Sequence, residues 1–166
     1  MDLSKVVATL TELVKNNNNC IIAIDGRSGS GKTTVANELS SKVPNSMVIH
    51  TDEFDLYQGA SSIDRLIKEV VMPHKTGQSS SNLLILEGIF SHDAKLQQYI
   101  DFKIWVDVDR EIGFERGLAR DIAFNSQDNS DKWINYWLPL EDKYISEQNP
   151  FKNADMVINN LQGPTL

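Results

Sequence analysis

The sequence predicts an α/β protein in which a five-stranded parallel sheet is covered by helices on both faces. Two observations carry this expectation. Five short runs rich in apolar residues, at 21–24, 47–50, 83–86, 102–106 and 156–158, are separated by stretches of helical periodicity. Strands buried on both faces read as near-continuous apolar runs, and helices between them imply parallel pairing. The first run also passes through a glycine-rich loop straight into a helical pattern, the succession strand, loop, helix.

Each element has its own signal. Leu3, Val6, Val7, Leu10, Leu13 and Val14 recur at helical spacing, and the asparagines at 16–19 end that helix. Strand 21–24 leads through the loop to a helix that stops before Pro44. Strand 47–50 ends in Thr51-Asp52-Glu53-Phe54. Ile63, Leu66, Ile67 and Val70 predict a helix over 62–71, closed by Pro73 and followed by a polar stretch at 76–82. Strand 83–86 ends in Glu87-Gly88, and a helix is expected over 92–100 with Asp93 as its cap. After strand 102–106, Asp107-Val108-Asp109 opens a helix that carries Arg116 and Arg120 on one face. A polar break at 125–131 precedes a helix over 132–147, with Trp133, Trp137, Leu140, Tyr144 and Ile145 packed inward and Pro139 kinking or interrupting it. The fifth strand, 156–158, is followed by a loose tail.

The loop is the chemically informative stretch. Gly26-Arg27-Ser28-Gly29-Ser30-Gly31-Lys32-Thr33 fits the phosphate-loop (Walker A) pattern of Gly, four residues, Gly, Lys, then Ser or Thr. Phosphate oxygens need several converging backbone N–H groups, and the glycines let the chain curl closely enough to supply them. The helix opening near Lys32 and Thr34 adds the positive end of its dipole. Lys32 is expected to reach the β- and γ-phosphates, and the Thr33 hydroxyl to ligate Mg²⁺. Asp52 and Glu53 stand just past the carboxyl end of a strand, the edge that carries ligands in open α/β sheets. Glu87 ends the plainest apolar strand, a place suited to a group that organises Mg²⁺ and its waters.

The whole chain narrows the partners. Its 166 residues are expected to form a single domain, residues 1–166, with 40% hydrophobic and 23% charged residues. A net charge of −7 with unclustered Lys and Arg argues against a nucleic-acid or anionic-membrane surface. The single cysteine, Cys20, suits a reducing compartment and reads as a small buried residue. No long apolar span is present, and a cytoplasmic protein is expected. The sequence is compatible with a homo-oligomer.

With these landmarks in place, the chain resembles the uridine kinase and phosphoribulokinase-like family of small-molecule kinases. The matching pieces are IDGRSGSGKTT, HTDEF, LILEGIF, WVDVDREIGFERGLARD and the WLPLEDKYI…NPFKNADMVI ending, in order from residue 21 to about 160. The resemblance implies a P-loop NTPase fold with sheet order 2-3-1-4-5, ATP and Mg²⁺ as cofactors, and a lid at about 113–131. It puts the acceptor-activating base at Asp52, the metal-organising carboxylate at Glu87, and two lid arginines at Arg116 and Arg120. Gly113 and Gly117 stand where the family often has further arginines, and Phe124-Asn125-Ser126-Gln127 replaces its usual Arg-Gly-Arg. Asp25, ahead of the loop, looks more like the residue of small nucleotide kinases.

The expected activity is transfer of the γ-phosphate of ATP to a hydroxyl of a small metabolite. Asp52, Lys32 and Arg116 would be catalytic, and residues 26–34 with Arg120 would hold the nucleotide. Asp52, Glu53, Phe54, Tyr57, Arg65 and His74 are the candidate acceptor contacts, with residues 57–82, including Gln58 and Lys75, supplying most of the pocket. His74 and Lys75 are equally readable as solvated surface. Arg65 and Lys75 would suit an anionic or polyhydroxylated acceptor, and nucleosides, including uridine and nicotinamide riboside, are the first compounds to try. Two other classes fit the same residues, an ATP-binding module or sensor without efficient transfer and a slow NTP hydrolase.

Overall fold

The structure is a computed structural model, and it describes residues 3–125 and 128–160. Its centre is a sheet of five parallel strands: β1 (Cys20–Asp25), β2 (Ser46–His50), β3 (Leu83–Glu87), β4 (Phe102–Asp107) and β5 (Met156–Asn159). They lie in the order β2-β3-β1-β4-β5. The expected order 2-3-1-4-5 is therefore the observed one, and the fold is that of P-loop NTPases.

Alternation along the strands divides the core between two faces. Cys20, Ile22 and Ile24 of β1, with Leu83 and Ile85 of β3 and Ile104 and Val106 of β4, pack under α1 (Ser4–Asn16) and α2 (Lys32–Lys42). Ile21, Leu84 and Leu86 point the other way, onto α3 (Ala60–Leu66) and the turns at Thr51–Phe54 and Leu56–Gln58. Because strand side chains alternate with period two, contiguous apolar residues can serve both layers at once.

Two helices pass through a proline by way of a π turn, the first against expectation. Pro73 does not close the third helix; α3 widens into a π turn at Ile67–Val71 and continues as α4 (Met72–Lys75). Later in the chain, α6 (Ser130–Lys132) runs into a π turn at Trp133–Trp137 and then α7 (Leu138–Gln148), with Pro139 in its first turn. Proline lacks an N–H and its ring collides with the carbonyl four residues back, and a wider turn just before it relieves both problems.

The helix expected over 92–100 is absent. The chain there makes turns and a short 3₁₀ segment, Gln97–Tyr99. Asp93 still accepts from the Lys95 N–H at 2.9 Å as a cap would, but the backbone then closes three-residue turns, Leu96 N–H to the Asp93 carbonyl and Tyr99 N–H to the Leu96 carbonyl, instead of helical bonds.

After β4, α5 (Arg110–Asn125) crosses beside the loop. Gly113 touches the loop backbone at Ser28 and Gly29, and a Cβ on Gly117 would run into the Trp133 ring. These two glycines are contact points rather than lost arginines: the Trp133 ring fills the space a side chain at 117 would take. Gly117→Val is expected to lower stability by about 1–3 kcal/mol, the usual cost of overpacking, read from the denaturant midpoint. An unchanged midpoint would mean the ring can move aside freely.

Candidate active site

The phosphate loop joins β1 to α2 and is held from beneath by one carboxylate. Asp25 is fully buried; its Oδ1 accepts from Gly26 N–H (2.7 Å), and its Oδ2 accepts from His92 N–H (2.9 Å) and Tyr144 O–H (2.7 Å). Gly29 takes a left-handed φ of 70° at the loop's closest approach to Gly113, a conformation and a fit that a side chain would spoil. The Lys32 ammonium lies across the loop and donates to the carbonyls of Gly26 (3.0 Å) and Arg27 (2.9 Å).

A second grip comes from α7. Glu141 is buried and accepts from both the hydroxyl and the N–H of Ser28, while Asp142 accepts from Arg27 at 2.8 Å and from Arg110. Burial raises the Glu141 pKa, against the opposing pull of the Ser28 hydrogen bonds, Lys32 and Arg27. Two consecutive carboxylates of one helix thus hold two consecutive residues of the loop.

The ends of β2 and β3 supply the other polar groups. Thr33 Oγ1 donates toward Glu87, 3.1 and 3.3 Å from its two oxygens, and His50 Nδ1 lies 2.7 Å from Glu87 Oε1. Asp52 follows β2 in the turn Thr51–Phe54. Its pKa is raised, first by loss of hydration among the walls around it and also by the Glu87 charge, with Lys32, Arg120 and His50 opposing.

These groups meet in a cleft of about 330 Å³ lined by Ser28, Gly29, Lys32, Thr33, Asp52 and Glu87, and closed by side chains from Asp55, Tyr57, Arg120, Asp121, Trp133 and Trp137. Arg120 faces the cleft. Arg116, one turn earlier on α5, donates to the carbonyl of Asn160 at 3.2 Å and is not part of the lining.

The acceptor region needs correction. Of residues 57–82, Tyr57 lines the cleft and the rest of that stretch packs elsewhere. Phe54 is in the core, with Arg65 stacked on its ring at 4.7 Å and bonded to the Glu53 carbonyl at 2.9 Å; neither Glu53, Phe54 nor Arg65 reaches the cleft. His74 is buried and its Nε2 donates to the Cys20 carbonyl (2.9 Å), and Lys75 pairs with Asp101 at 2.7 Å. The rest of the cleft wall comes from Asp121, which also pairs with Arg120 at 3.8 Å as expected, from Trp133, which is buried as expected, and from Trp137. Glu141 and Asp142 had no signal, since an acidic pair on a helix reads as a solvent face until the fold brings it to the loop. Residues 126 and 127, in the expected lid, and the tail at 161–166 lie outside the described residues.

The residues present fit a nucleotide with a magnesium ion. The Ser30 hydroxyl is buried in the loop with no hydrogen-bond partner, and the opening N–H groups of α2 have no intrahelical acceptor. Thr33 and Glu87 are the groups that could hold the ion. No cluster of three or more His, Cys, Asp or Glu side chains suited to a metal occurs among the described residues.

A parallel sheet in this order, with the phosphate loop at the end of β1 and carboxylates at the ends of β2 and β3, defines a P-loop kinase architecture. The model of the phosphoribulokinase/uridine kinase family matches residues 57–165, and the chain belongs to that family. It is 26% identical to a uridine kinase of Saccharomyces cerevisiae over 85% of this chain but only 37% of that protein's length. It is 24% identical to a uridine kinase of Latilactobacillus sakei, over 83% of this chain and 84% of that one. Among solved structures, a "possible uridine kinase" from Bacillus stearothermophilus superposes with a TM-score of 0.67 at 22% identity, covering 95% of this chain and all of that one. Shikimate kinase from Bacteroides thetaiotaomicron gives 0.52 at 16%, covering 84% and 85%. At these identities the structural likeness is one of fold. No helix among the described residues is long and apolar enough to cross a membrane.

Proposed function

We propose that this protein is a kinase that transfers the γ-phosphate of ATP to a hydroxyl of a small, nucleoside-like metabolite. The observation that supports it is the meeting of Lys32, Thr33, Asp52, Glu87 and Arg120 in one cleft. Thr33 and Glu87 would hold a magnesium ion, whose chemistry there would be neutralisation of the phosphate charge. The loop residues, Gly26 to Thr34, cradle the phosphates through backbone N–H groups, and Lys32 swings from the loop carbonyls to the β- and γ-oxygens. Asp52 accepts the proton of the acceptor hydroxyl as its oxygen bonds to the γ-phosphorus; the bond from that phosphorus to the β–γ bridging oxygen breaks, releasing ADP. Arg120 stabilises the charge spread over the transferring group, and Arg116 joins it if residues 113–131 close as a lid.

A second reading, ATP binding without efficient transfer, draws on the same glycines. The positions of Gly113 and Gly117 are taken up by the loop and Trp133, which leaves Arg120 as the lid arginine on the cleft. ADP release measured with and without added alcohols separates the two. The kinase reading expects release that depends on an acceptor; no release alongside firm ATP binding would favour the second, and acceptor-independent release would instead indicate slow NTP hydrolysis.

A further inference from the structure

A carboxylate is an unexpected neighbour for a loop built to hold anions. Glu141 is buried and is not among the residues lining the cleft. What it touches is Ser28, whose hydroxyl and N–H both donate to it. Ser28 does line the cleft, and Gly29, next in the chain, makes the loop's left-handed turn.

Ser28 also joins the two sides of the cleft. Its hydroxyl proton is spent on Glu141, so its oxygen is free to accept the hydrogen bond it shares with the Tyr57 phenol. Burial, and then the charges of Asp52 and Glu141, push that phenol well above its usual pKa, so it keeps the proton it donates. Tyr57, Ser28 and Glu141 thus form a chain of donors that ends on one carboxylate. The ring of Tyr57 is set by the same helix from another direction, since it packs on Phe90 at 5.3 Å and Phe90 packs on Tyr144 at 4.7 Å.

Two influences of Glu141 on a bound nucleotide oppose each other. Its charge repels a triphosphate held by the adjacent loop, and water screens little of that in a buried setting. Its hydrogen bonds act the other way. A carboxylate accepts at both oxygens and donates at neither, which suits the two donors of a single residue. A loop that reaches its binding shape only part of the time binds with an affinity reduced by that fraction.

We infer that Glu141 is a positioning residue of the nucleotide site: through Ser28 it holds the phosphate loop in its binding shape and fixes Tyr57 across the cleft, and this outweighs the repulsion its charge exerts on the nucleotide. The inference rests on the nucleotide-binding half of the kinase reading.

Because the two influences differ in sign, one substitution separates them. Glu141→Gln removes the charge and keeps the size, but its amide must set an NH₂ against one of the two Ser28 donors. Affinity for a non-hydrolysable ATP analogue with Mg²⁺, read by calorimetry well below the melting transition, is expected to fall roughly tenfold, as when a buried hydrogen-bonding group loses its partner. Ser28→Ala removes the hydroxyl and keeps the N–H, and a smaller fall is expected. In the double variant Ser28→Ala, Glu141→Gln the amide carbonyl can turn to the remaining N–H, so affinity should be no lower than in Glu141→Gln alone. Unchanged or tighter binding by Glu141→Gln would overturn the inference, and so would losses that multiply in the double variant. If Glu141→Gln does not fold, Ser28→Ala decides: weaker binding supports the inference and unchanged binding overturns it. Failure of the kinase reading looks different. A parent protein that does not bind the analogue would sink both, whereas the expected affinities with no acceptor-dependent ADP release would sink the kinase reading and leave Glu141 in its role.

Discussion

Replacing Asp52 with asparagine is expected to lower acceptor-dependent ADP release by about 10²–10⁴-fold, the range for loss of a positioned general base, with ATP·Mg²⁺ affinity little changed. The substitution keeps size and hydrogen bonding but removes the proton acceptor. Asp52 stands across the cleft from Lys32 and Thr33, and the partial dehydration that raises its pKa makes it a better base. The sign of the pH dependence follows. The carboxylate must be ionised to accept a proton, so kcat/KM should rise with pH through the raised Asp52 pKa and level off above it. In Asp52→Asn that acid limb should vanish. A variant that keeps both near-normal turnover and the acid limb would move the base elsewhere. Asp55 is the carboxylate of the cleft best placed to take over, since Asp25 is fully buried beneath three donors.

Lys32→Ala is expected to abolish most of the stabilisation that ATP·Mg²⁺ confers. A ligand at about 100 times its Kd adds about 2.7 kcal/mol; for a chain of this size that is a rise in melting temperature of roughly 5–10 °C. Without the ammonium the variant should gain under about 2 °C, while its melting temperature without nucleotide stays within a few degrees of the parent. The fold should survive because Asp25, Glu141 and Asp142 hold the loop independently of Lys32. A full ATP-induced shift in Lys32→Ala would place the nucleotide outside this loop.

The sheet and the phosphate loop were legible in the sequence because both are locally encoded. Strands covered on two faces must be apolar throughout, and a loop that wraps phosphate must carry glycine at fixed intervals. That Asp52 and Glu87 line one cleft was legible for a related reason, since strand ends mark the open edge of the sheet. The aromatic side of the cleft was not. Tyr57 and Trp133 belong to segments far apart in sequence, and only the packing of Trp133 on Gly117 turns a residue of helical periodicity into a wall of the cleft. Chain order also misled: Arg65 and His74 lie between the two carboxylate-bearing strands, yet their helix spends its polar groups on the sheet face and on neighbouring turns. Pro73 misled because periodicity carries no sign of a π turn, which lets a helix pass through a residue that would otherwise end it.

The Asp25 carboxylate has a consequence for how the molecule is assembled. Its three donors come from residues 26, 92 and 144, and α7 adds the grip on Arg27 and Ser28. A loop encoded near the start of the chain is therefore held by a helix encoded near its end. Closing so long an interval is entropically costly and is gained only when the intervening strands have already paired. During synthesis the first thirty or so residues carry the complete phosphate-loop pattern but none of these distant anchors. Order in the phosphate loop thus depends on residues encoded as late as Tyr144 of α7 and Asn160, whose side-chain amide donates to the Ser30 carbonyl at 2.8 Å.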